Sequence, residues 1–259
     1  MKTFQITLTL CLVALAASWC RAEIYIGGHA DLGVGFEDGQ LHLHLHAEDA
    51  LMLYGGGSAA ACEYEPGELM IGVPDPAIAR PAGSAWNFLA ANPGDPIWFL
   101  PQSSTSGKPF LGLGTEELTP AAGWTSPLTW RFNSILTISG DSSQFAVWQN
   151  DSFGNPQVFA STLLPTAEGN SWTQNPFSHD HFNLGFTGEG IYDVSFSIEG
   201  VNSGVGSIPA GTYRDTASFR FVTGQAIAAV PEPSGLAVVS LAGLLLVRRR
   251  QRSCQSRRD

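Results

Sequence analysis

The sequence predicts an all-β protein: a single antiparallel β-sandwich domain between an N-terminal signal peptide and a C-terminal hydrophobic sorting helix. Three observations support this fold class. Apolar and polar residues alternate in many short stretches, as in half-buried strands. The 29 glycines and 16 prolines are scattered along the chain and supply frequent turn signals. No long stretch places apolar residues at helical spacing.

The clearest strand is "IYDVSFSIEG", in which four apolar side chains share one face: Tyr192, Val194, Phe196 and Ile198. "SFRFVTG" likewise places Phe219 and Phe221 on one face. "FNSILTISG" and "QFAVWQND" predict two strands joined through "GDSS", and "PIWFLP" predicts a short apolar strand. Residues 55–85 and 101–109 are predicted to be loops because they are rich in glycine, proline and small residues.

A hairpin is predicted near the start of the body. "EDG" at residues 37–39 is a turn signal between "HADLGVGF" and "LHLHLHAED". The two flanking segments are therefore expected to pair as neighbouring strands.

Residues 1–22 have the pattern of a secretory signal peptide. Lys2 gives the positive start, "ITLTLCLVALAA" the apolar core and "CRA" a cleavage site before Glu23. A lipoprotein signal acting through Cys20 is the alternative interpretation. Both interpretations predict export.

Residues 226–259 combine "VPEPSG", the apolar run "LAVVSLAGLLLV" and the basic tail "RRRQRSCQSRRD". A short apolar span followed by arginines is typical of a stop-transfer segment. The three-part pattern resembles the PEP-CTERM sorting signal of exopolysaccharide-producing Gram-negative bacteria, with Pro231, Glu232 and Pro233 as its motif. The resemblance implies transient anchoring in the inner membrane and processing by an exosortase-type sorting enzyme. A plain C-terminal anchor helix is the alternative. Residues 23–225 are left as the β-sandwich domain.

The body between these ends is strongly acidic. Eight of the 13 basic residues lie in the ends, so the body has five basic and 21 acidic residues and a net charge of −16. Such a body is expected to repel nucleic acid and anionic lipid and to attract cations. Its only cysteine is Cys62, which excludes an internal disulfide. A lone thiol in an exported protein is buried, reactive or a ligand, and burial is the prediction here.

All six histidines lie in two short segments, residues 29–46 and 179–181. On a strand, His42, His44 and His46 share one face and the alternating leucines share the other, which is the natural core face. Neighbouring members of the trio have Cα atoms about 7 Å apart, and the outer two about 13 Å. Two of these rings can therefore reach one ion, but all three cannot easily do so.

His179 and His181 repeat the same spacing. Two such strands meeting would offer four nitrogen donors, which suits tetrahedral zinc, although copper, nickel and iron also accept imidazole. His29 and Asp31, on the partner strand of the predicted hairpin, could complete or orient the set. Asp49 and Asp180 are candidate acceptors for a ring N–H. The predicted metal residues are His29, Asp31, His42, His44, His46, His179 and His181.

Four segments, in order, resemble the choice-of-anchor M, or surface-anchored, domain family: "GGHADLGVGFEDGQLHLHLHAED", "IWFLPQSSTSGKPFLGLGTEEL", "LTISGDSSQFAVWQNDSFGNPQVFAST" and "HDHFNLGFTGEGIYDVSFSIEG". Together with the tail, they resemble its branch that is repressed by the zinc-uptake regulator. The resemblance implies a cell-surface β-domain in zinc homeostasis, working beside a metal transporter component. His42 is not required by the family pattern, and Ala47 and Glu48 replace the aspartate that often follows the strand histidine.

The sequence therefore predicts a non-catalytic, exported zinc-binding protein of the Gram-negative cell envelope that captures or buffers zinc when zinc is scarce. One alternative is a surface or matrix protein in which the metal only stabilises the fold. Another is a zinc-dependent hydrolase, but the chain has no H-E-x-x-H motif, nucleophile elbow or phosphate loop.

Overall fold

The computed structural model describes residues 23–164 and 168–230. The predicted signal peptide and the sorting motif Pro231, Glu232 and Pro233 lie outside the described residues. The first nine strands are β1 (Glu23–Glu37), β2 (Gln40–His46), β3 (Leu51–Leu53), β4 (Ser58–Ala59), β5 (Glu63–Tyr64), β6 (Leu69–Val73), β7 (Ile78–Ala79), β8 (Pro96–Leu100) and β9 (Pro109–Gly114). The others are β10 (Leu128–Gly140), β11 (Phe145–Asn150), β12 (Pro156–Ser161), β13 (Ser171–Gln174), β14 (His179–His181), β15 (Asn183–Phe186), β16 (Gly190–Asn202) and β17 (Gly211–Thr223).

Helical structure is limited to short pieces in the described residues. Three 3₁₀ turns span Ser84–Leu89, Pro120–Ala122 and Glu168–Asn170, and a one-turn α-helix, α1, spans Ala226–Ala229. Ile227 of α1 packs against Ile24, Met70 and Val222. Thus the first residues after the predicted boundary at 225 pack onto the body. None of the described helices is both long and apolar enough to span a bilayer.

The strands form two sheets, which confirms the all-β prediction. The larger sheet follows the order β13-β10-β16-β17-β6-β1-β2-β5, with β3, β4, β9 and β14 attached as branches, and the smaller follows β12-β11-β15-β8-β7. Phe145 of the smaller sheet contacts Phe132 and Phe196 of the larger one, with ring centroids 5.1 and 6.0 Å apart. A common apolar core therefore lies between the two sheets, as in a β-sandwich.

The prediction of a purely antiparallel sheet is wrong at three pairings. β1 runs parallel to β6 and to β9, and β17 runs parallel to β6. The loop predicted over residues 55–85 is also partly wrong, because β6 lies within it and all five of its residues are buried. A continuous apolar run such as β6 has no alternation to reveal a strand.

The other predicted strands are confirmed. The four alternating apolar residues of β16 and Phe219 and Phe221 of β17 are all buried. The strands on either side of "GDSS" are β10 and β11, which belong to different sheets. The 101–109 loop is confirmed up to the start of β9 at Pro109.

The predicted hairpin is confirmed as β1 paired antiparallel with β2. Its turn places Asp38 and Gly39 at φ 49° and 83°, the left-handed values of a type I′ turn. The turn fixes the register in which Asp31 lies opposite His46, Gly33 opposite His44 and Gly35 opposite His42.

Candidate metal centre

Four adjacent strands, in the order β2, β1, β9 and β14, carry every histidine of the chain on one face. We call it the histidine face. Its opposite side packs into the core through a continuous set of apolar side chains: Ala30, Leu32, Val34, Leu41, Leu43, Leu45, Leu111 and Leu113. Core burial of this set requires the intervening histidines to point away from the core.

The residues of the histidine face form rows across the strands. One row, extended by β5, contains Glu63, His46, Asp31, Gly112 and His181. The next row contains His44, Gly33, Gly114 and His179. The central strands β1 and β9 thus contribute mainly glycine, whereas the flanking strands contribute imidazoles.

These glycines leave space that the flanking side chains occupy. A Cβ atom on Gly33 would lie 2.6 Å from Nε2 of His44, and one on Gly112 would lie 3.1 Å from Cε1 of His181. A Cβ on Gly35 would lie 2.8 Å from Oε2 of Glu117. The side chains of the flanking strands therefore extend over these glycines. We call Gly33, Gly35, Gly112 and Gly114 the glycine floor.

His29, His179 and His181 form one cluster, which we call the three-histidine cluster. The ring centroid of His29 lies 5.8 Å from that of His179 and 5.1 Å from that of His181, and the last two are 5.3 Å apart. One ring nitrogen from each can be chosen so that all three lie within 4.8 Å of one another. His181 also stacks on Phe110, with the centroids 3.6 Å apart.

His44, His46, Glu63 and Glu117 form the second cluster, which we call the mixed cluster. Its donor atoms also lie within 4.8 Å of one another. Oε1 of Glu117 is 3.0 Å from Nε2 of His44 and 3.7 Å from Nδ1 of His46. The sequence led us to expect the two His-x-His pairs at one ion. The structure instead assigns the pairs to different clusters.

Asp31 lies between the two clusters. Its Oδ2 is 3.6 Å from Nε2 of His29, and its cross-strand partner is His46. The side chain is only 2% exposed, and neither carboxylate oxygen has a hydrogen-bond partner. A narrow cleft lined by Asp31, His46, Glu116 and Glu117 opens beside it.

Glu116 and Glu117 are contacts that the sequence analysis missed. They follow β9 in a turn closed by a hydrogen bond from Leu118 N to Thr115 O. Buried Thr115 donates its hydroxyl to the carbonyl oxygens of Asn175 and Ser178, which fixes the turn beside β14. Glu116 then pairs with His179, with 2.7 Å between Oε1 and Nδ1, while Glu117 reaches the mixed cluster. The acidic pair in "GTEEL" was the available signal.

The surroundings shift the pKa values of four groups on this face. Burial raises the pKa of Asp31, although His29 and His179 oppose the shift. Burial also lowers the pKa of His181 to about 4, so this ring is neutral at pH 7. The pKa of His179 is raised, chiefly by Glu116. Burial lowers the pKa of His44, but Glu117 and Glu63 outweigh burial, and the net shift is upward.

Unpartnered polar atoms concentrate on the histidine face. Among the described residues, eleven buried side-chain nitrogen or oxygen atoms lack a hydrogen-bond partner, and seven of them belong to this face. The seven atoms are His29 Nε2, both Asp31 oxygens, His44 Nδ1 and Nε2, His46 Nδ1 and His181 Nδ1. A buried donor or acceptor without a partner costs about 1–3 kcal/mol. A bound cation would give several of these atoms a partner.

Three other sequence-based candidates lie outside both clusters. His42 is 3.3 Å from Glu65, measured from Nε2 to Oε2, and stacks on His44. Asp180 points to the opposite side of β14 and accepts a hydrogen bond from Gln174. Asp49 is exposed in the segment after β2. Cys62 is half-buried instead of buried as predicted, and it belongs to neither cluster.

Comparison with protein-family models, with curated proteins and with solved structures gives no match. The function is therefore inferred from the geometry of the site.

Proposed function

We propose that this chain is an exported, non-catalytic zinc-binding protein that captures or buffers zinc at the cell envelope. The observation that carries the proposal is the three-histidine cluster, in which residues about 150 positions apart offer three imidazole nitrogens within 4.8 Å of one another. Imidazole is a preferred zinc ligand, and neighbouring nitrogens around a tetrahedral zinc lie about 3.3 Å apart. Small side-chain rotations would close the cluster onto an ion.

Asp31 supports the same proposal. It is a buried carboxylate without a hydrogen-bond partner, 3.6 Å from His29. A carboxylate in this position can serve as a fourth ligand or accept the ring N–H of a ligating histidine. Either role stabilises a cation beside it, since a buried charge is costly unless it is paired.

Reversible capture is favoured over a purely structural metal. The strands of the histidine face are joined by backbone hydrogen bonds, and their opposite side packs into the main core. These interactions stabilise the fold without an ion, so the metal can be taken up and released. A hydrolase is disfavoured, because the chain has no H-E-x-x-H motif, nucleophile elbow or phosphate loop.

Export and surface attachment complete the proposal. The N-terminal and C-terminal patterns support secretion, transient membrane anchoring and processing by an exosortase-type enzyme. The resemblance to the zinc-regulated branch of the surface-anchored domain family supports a role in zinc homeostasis beside a metal transporter component. The body's net charge of −16 would concentrate divalent cations near the site.

A competition titration against a chromophoric zinc chelator tests the proposal. His179→Ala should weaken zinc binding at this cluster by more than about 100-fold, since even an outer partner of a zinc ligand is worth 10–100-fold. His42→Ala is the matched control and should bind as the native protein does, because His42 lies outside both clusters. Failure of the native protein to bind zinc at micromolar supply would overturn the proposal.

A further inference from the structure

We propose that the histidine face holds a second divalent-cation site, formed by His44, His46, Glu63 and Glu117. It would take a first-row transition-metal dication in a mixed shell of two nitrogens and two oxygens. This inference goes beyond the proposed function, which needs only the three-histidine cluster.

The mixed cluster has the geometry of a ligand set. β2 supplies His44 and His46, β5 supplies Glu63 as the cross-strand partner of His46, and the turn after β9 supplies Glu117. One oxygen, Oε1 of Glu117, lies 3.0 and 3.7 Å from nitrogens of the two histidines. Three separate segments thus converge on one point.

His44 provides an independent indication of a ligand. Its side chain is only 1% exposed, yet neither ring nitrogen has a hydrogen-bond partner. Nε2 lies 3.0 Å from Oε1 of Glu117, which is itself a member of the mixed cluster. Leaving a buried polar group without a partner is costly, and metal coordination is one way in which such a group is satisfied. A solvated acidic patch would not bury an imidazole in this way.

The charges of the mixed cluster match a dication. Two carboxylates balance its charge, and two imidazoles add nitrogen donors without adding charge. Glu63 and Glu117 are exposed, whereas His44 lies at the floor of the site. An ion could therefore enter from solvent and contact the exposed carboxylates first.

The mixed cluster is distinct from the three-histidine cluster but adjacent to it. Asp31 lies between them, and the consecutive residues Glu116 and Glu117 each reach a different cluster. Along the shared row, His46 and His181 are separated by three strand spacings, about 14 Å between Cα atoms. The buried carboxylate of Asp31 would reduce the repulsion between two neighbouring dications.

Native mass spectrometry of the full chain, loaded with zinc and desalted, tests this inference. We expect two zinc ions on the native protein. The pair Glu63→Gln and Glu117→Gln should leave one, His179→Ala should leave one, and the three changes combined should leave none. Glu199→Gln is the matched control and should keep two, because Glu199 pairs with Arg214 away from this face. Circular dichroism checks the folding of each variant.

The outcomes separate the two proposals. A single ion that survives the double glutamate change but is lost in His179→Ala overturns the second site and leaves the proposed function intact. A single ion with the opposite pattern supports the mixed cluster and overturns the assignment of the three-histidine cluster. No bound ion overturns both.

Discussion

At the residue scale, glycines create the space that the side chains of the candidate metal centre occupy. On an ordinary sheet, side chains from adjacent strands stand 4.5–5.5 Å apart and would fill the space between β2 and β14. Here Gly33, Gly35, Gly112 and Gly114 leave that space open, and imidazoles and carboxylates lean into it. The glycines therefore provide the space in which the candidate metal ligands converge.

Gly33→Ala tests the role of the glycine floor. The new methyl group would lie 2.6 Å from Nε2 of His44, and this ring is 1% exposed and in contact with His42, His46 and Glu117. We expect a loss of about 1–3 kcal/mol in the free energy of unfolding, and weaker binding at the mixed cluster. Urea denaturation and zinc titration measure both effects.

Gly211→Ala is the control for this change, because a Cβ there meets only Tyr213 at 3.9 Å. Its cost should stay within about 0.5 kcal/mol. Equal effects of the two substitutions would show that Gly33 is not required for the packing of His44.

His181 gives a pH-dependent prediction for the metal-free protein. Burial lowers its pKa to about 4, whereas an unfolded histidine titrates near 6.5. Between these values the unfolded chain binds a proton that folded His181 does not, so the free energy of unfolding falls as the pH drops from about 6.5 to 4. Because part of the ring contacts solvent, we expect a contribution of only about 1 kcal/mol.

The contribution is measured by urea denaturation of the native protein and His181→Gln at pH 7 and pH 4.5. The other titrating groups of the face are present in both proteins, so their contributions largely cancel in the comparison. The native protein should lose more stability than the variant. An equal loss in both would refute the assigned pKa.

The histidines of the site could be identified from the sequence because they are rare and clustered, but their grouping could not. Alternation in β2 correctly placed Leu41, Leu43 and Leu45 in the core. The division into two clusters depends on β9 lying between β1 and β14. Sequence periodicity reports which face a residue occupies and not which strand is its neighbour. For the same reason Glu116 and Glu117 were missed.

At the element scale, the β1–β2 hairpin positions both clusters. β1 carries His29 and Asp31, β2 carries His44 and His46, and the Asp38–Gly39 turn fixes their register. A slip of one residue would turn the histidines into the core and the leucines to solvent. The leucine face of β2 therefore orients the histidines of the candidate site as well as stabilising the fold.

Leu43→Ala tests this element. Leu43 is fully buried, and its truncation should cost about 2–5 kcal/mol in the free energy of unfolding. Leu136 on β10 is 60% exposed, so Leu136→Ala is the matched control and should cost less than about 0.5 kcal/mol. Urea denaturation compares the two variants. Similar midpoints would show that Leu43 of β2 does not pack in the core.

Local sequence signals identified the antiparallel elements well and the parallel ones poorly. The hairpin has a turn signal, and β16 and β17 alternate clearly. The parallel pairings of β1 with β6 and β9 join segments far apart in sequence, without a turn to mark them. Such pairings depend on the packing of the whole chain.

At the scale of the whole molecule, the two sheets share an aromatic and aliphatic core that does not include the histidine face. Trp130, Phe145, Phe186, Phe196 and Phe221 are essentially inaccessible to solvent. The fold thus depends on this core, whereas the proposed metal binding depends on the side chains of the histidine face. This separation is what a protein that captures and releases an ion requires.

Removal of the metal tests whether the fold is stable without a bound ion. After treatment with a chelator, the far-ultraviolet circular dichroism spectrum should be unchanged. A site saturated at about 100 times its Kd adds about 2.7 kcal/mol, so Tm should fall by roughly 5–10 °C. Unfolding of the chelated protein at 25 °C would instead identify the metal as a structural element.

Zinc binding by the three-histidine cluster is tested most directly by a zinc-edge anomalous difference map from crystals of the zinc-loaded protein. We expect a peak about 2.0–2.1 Å from one ring nitrogen of each of His29, His179 and His181. A map in which zinc binds elsewhere, while these three rings contact only solvent, would contradict this expectation.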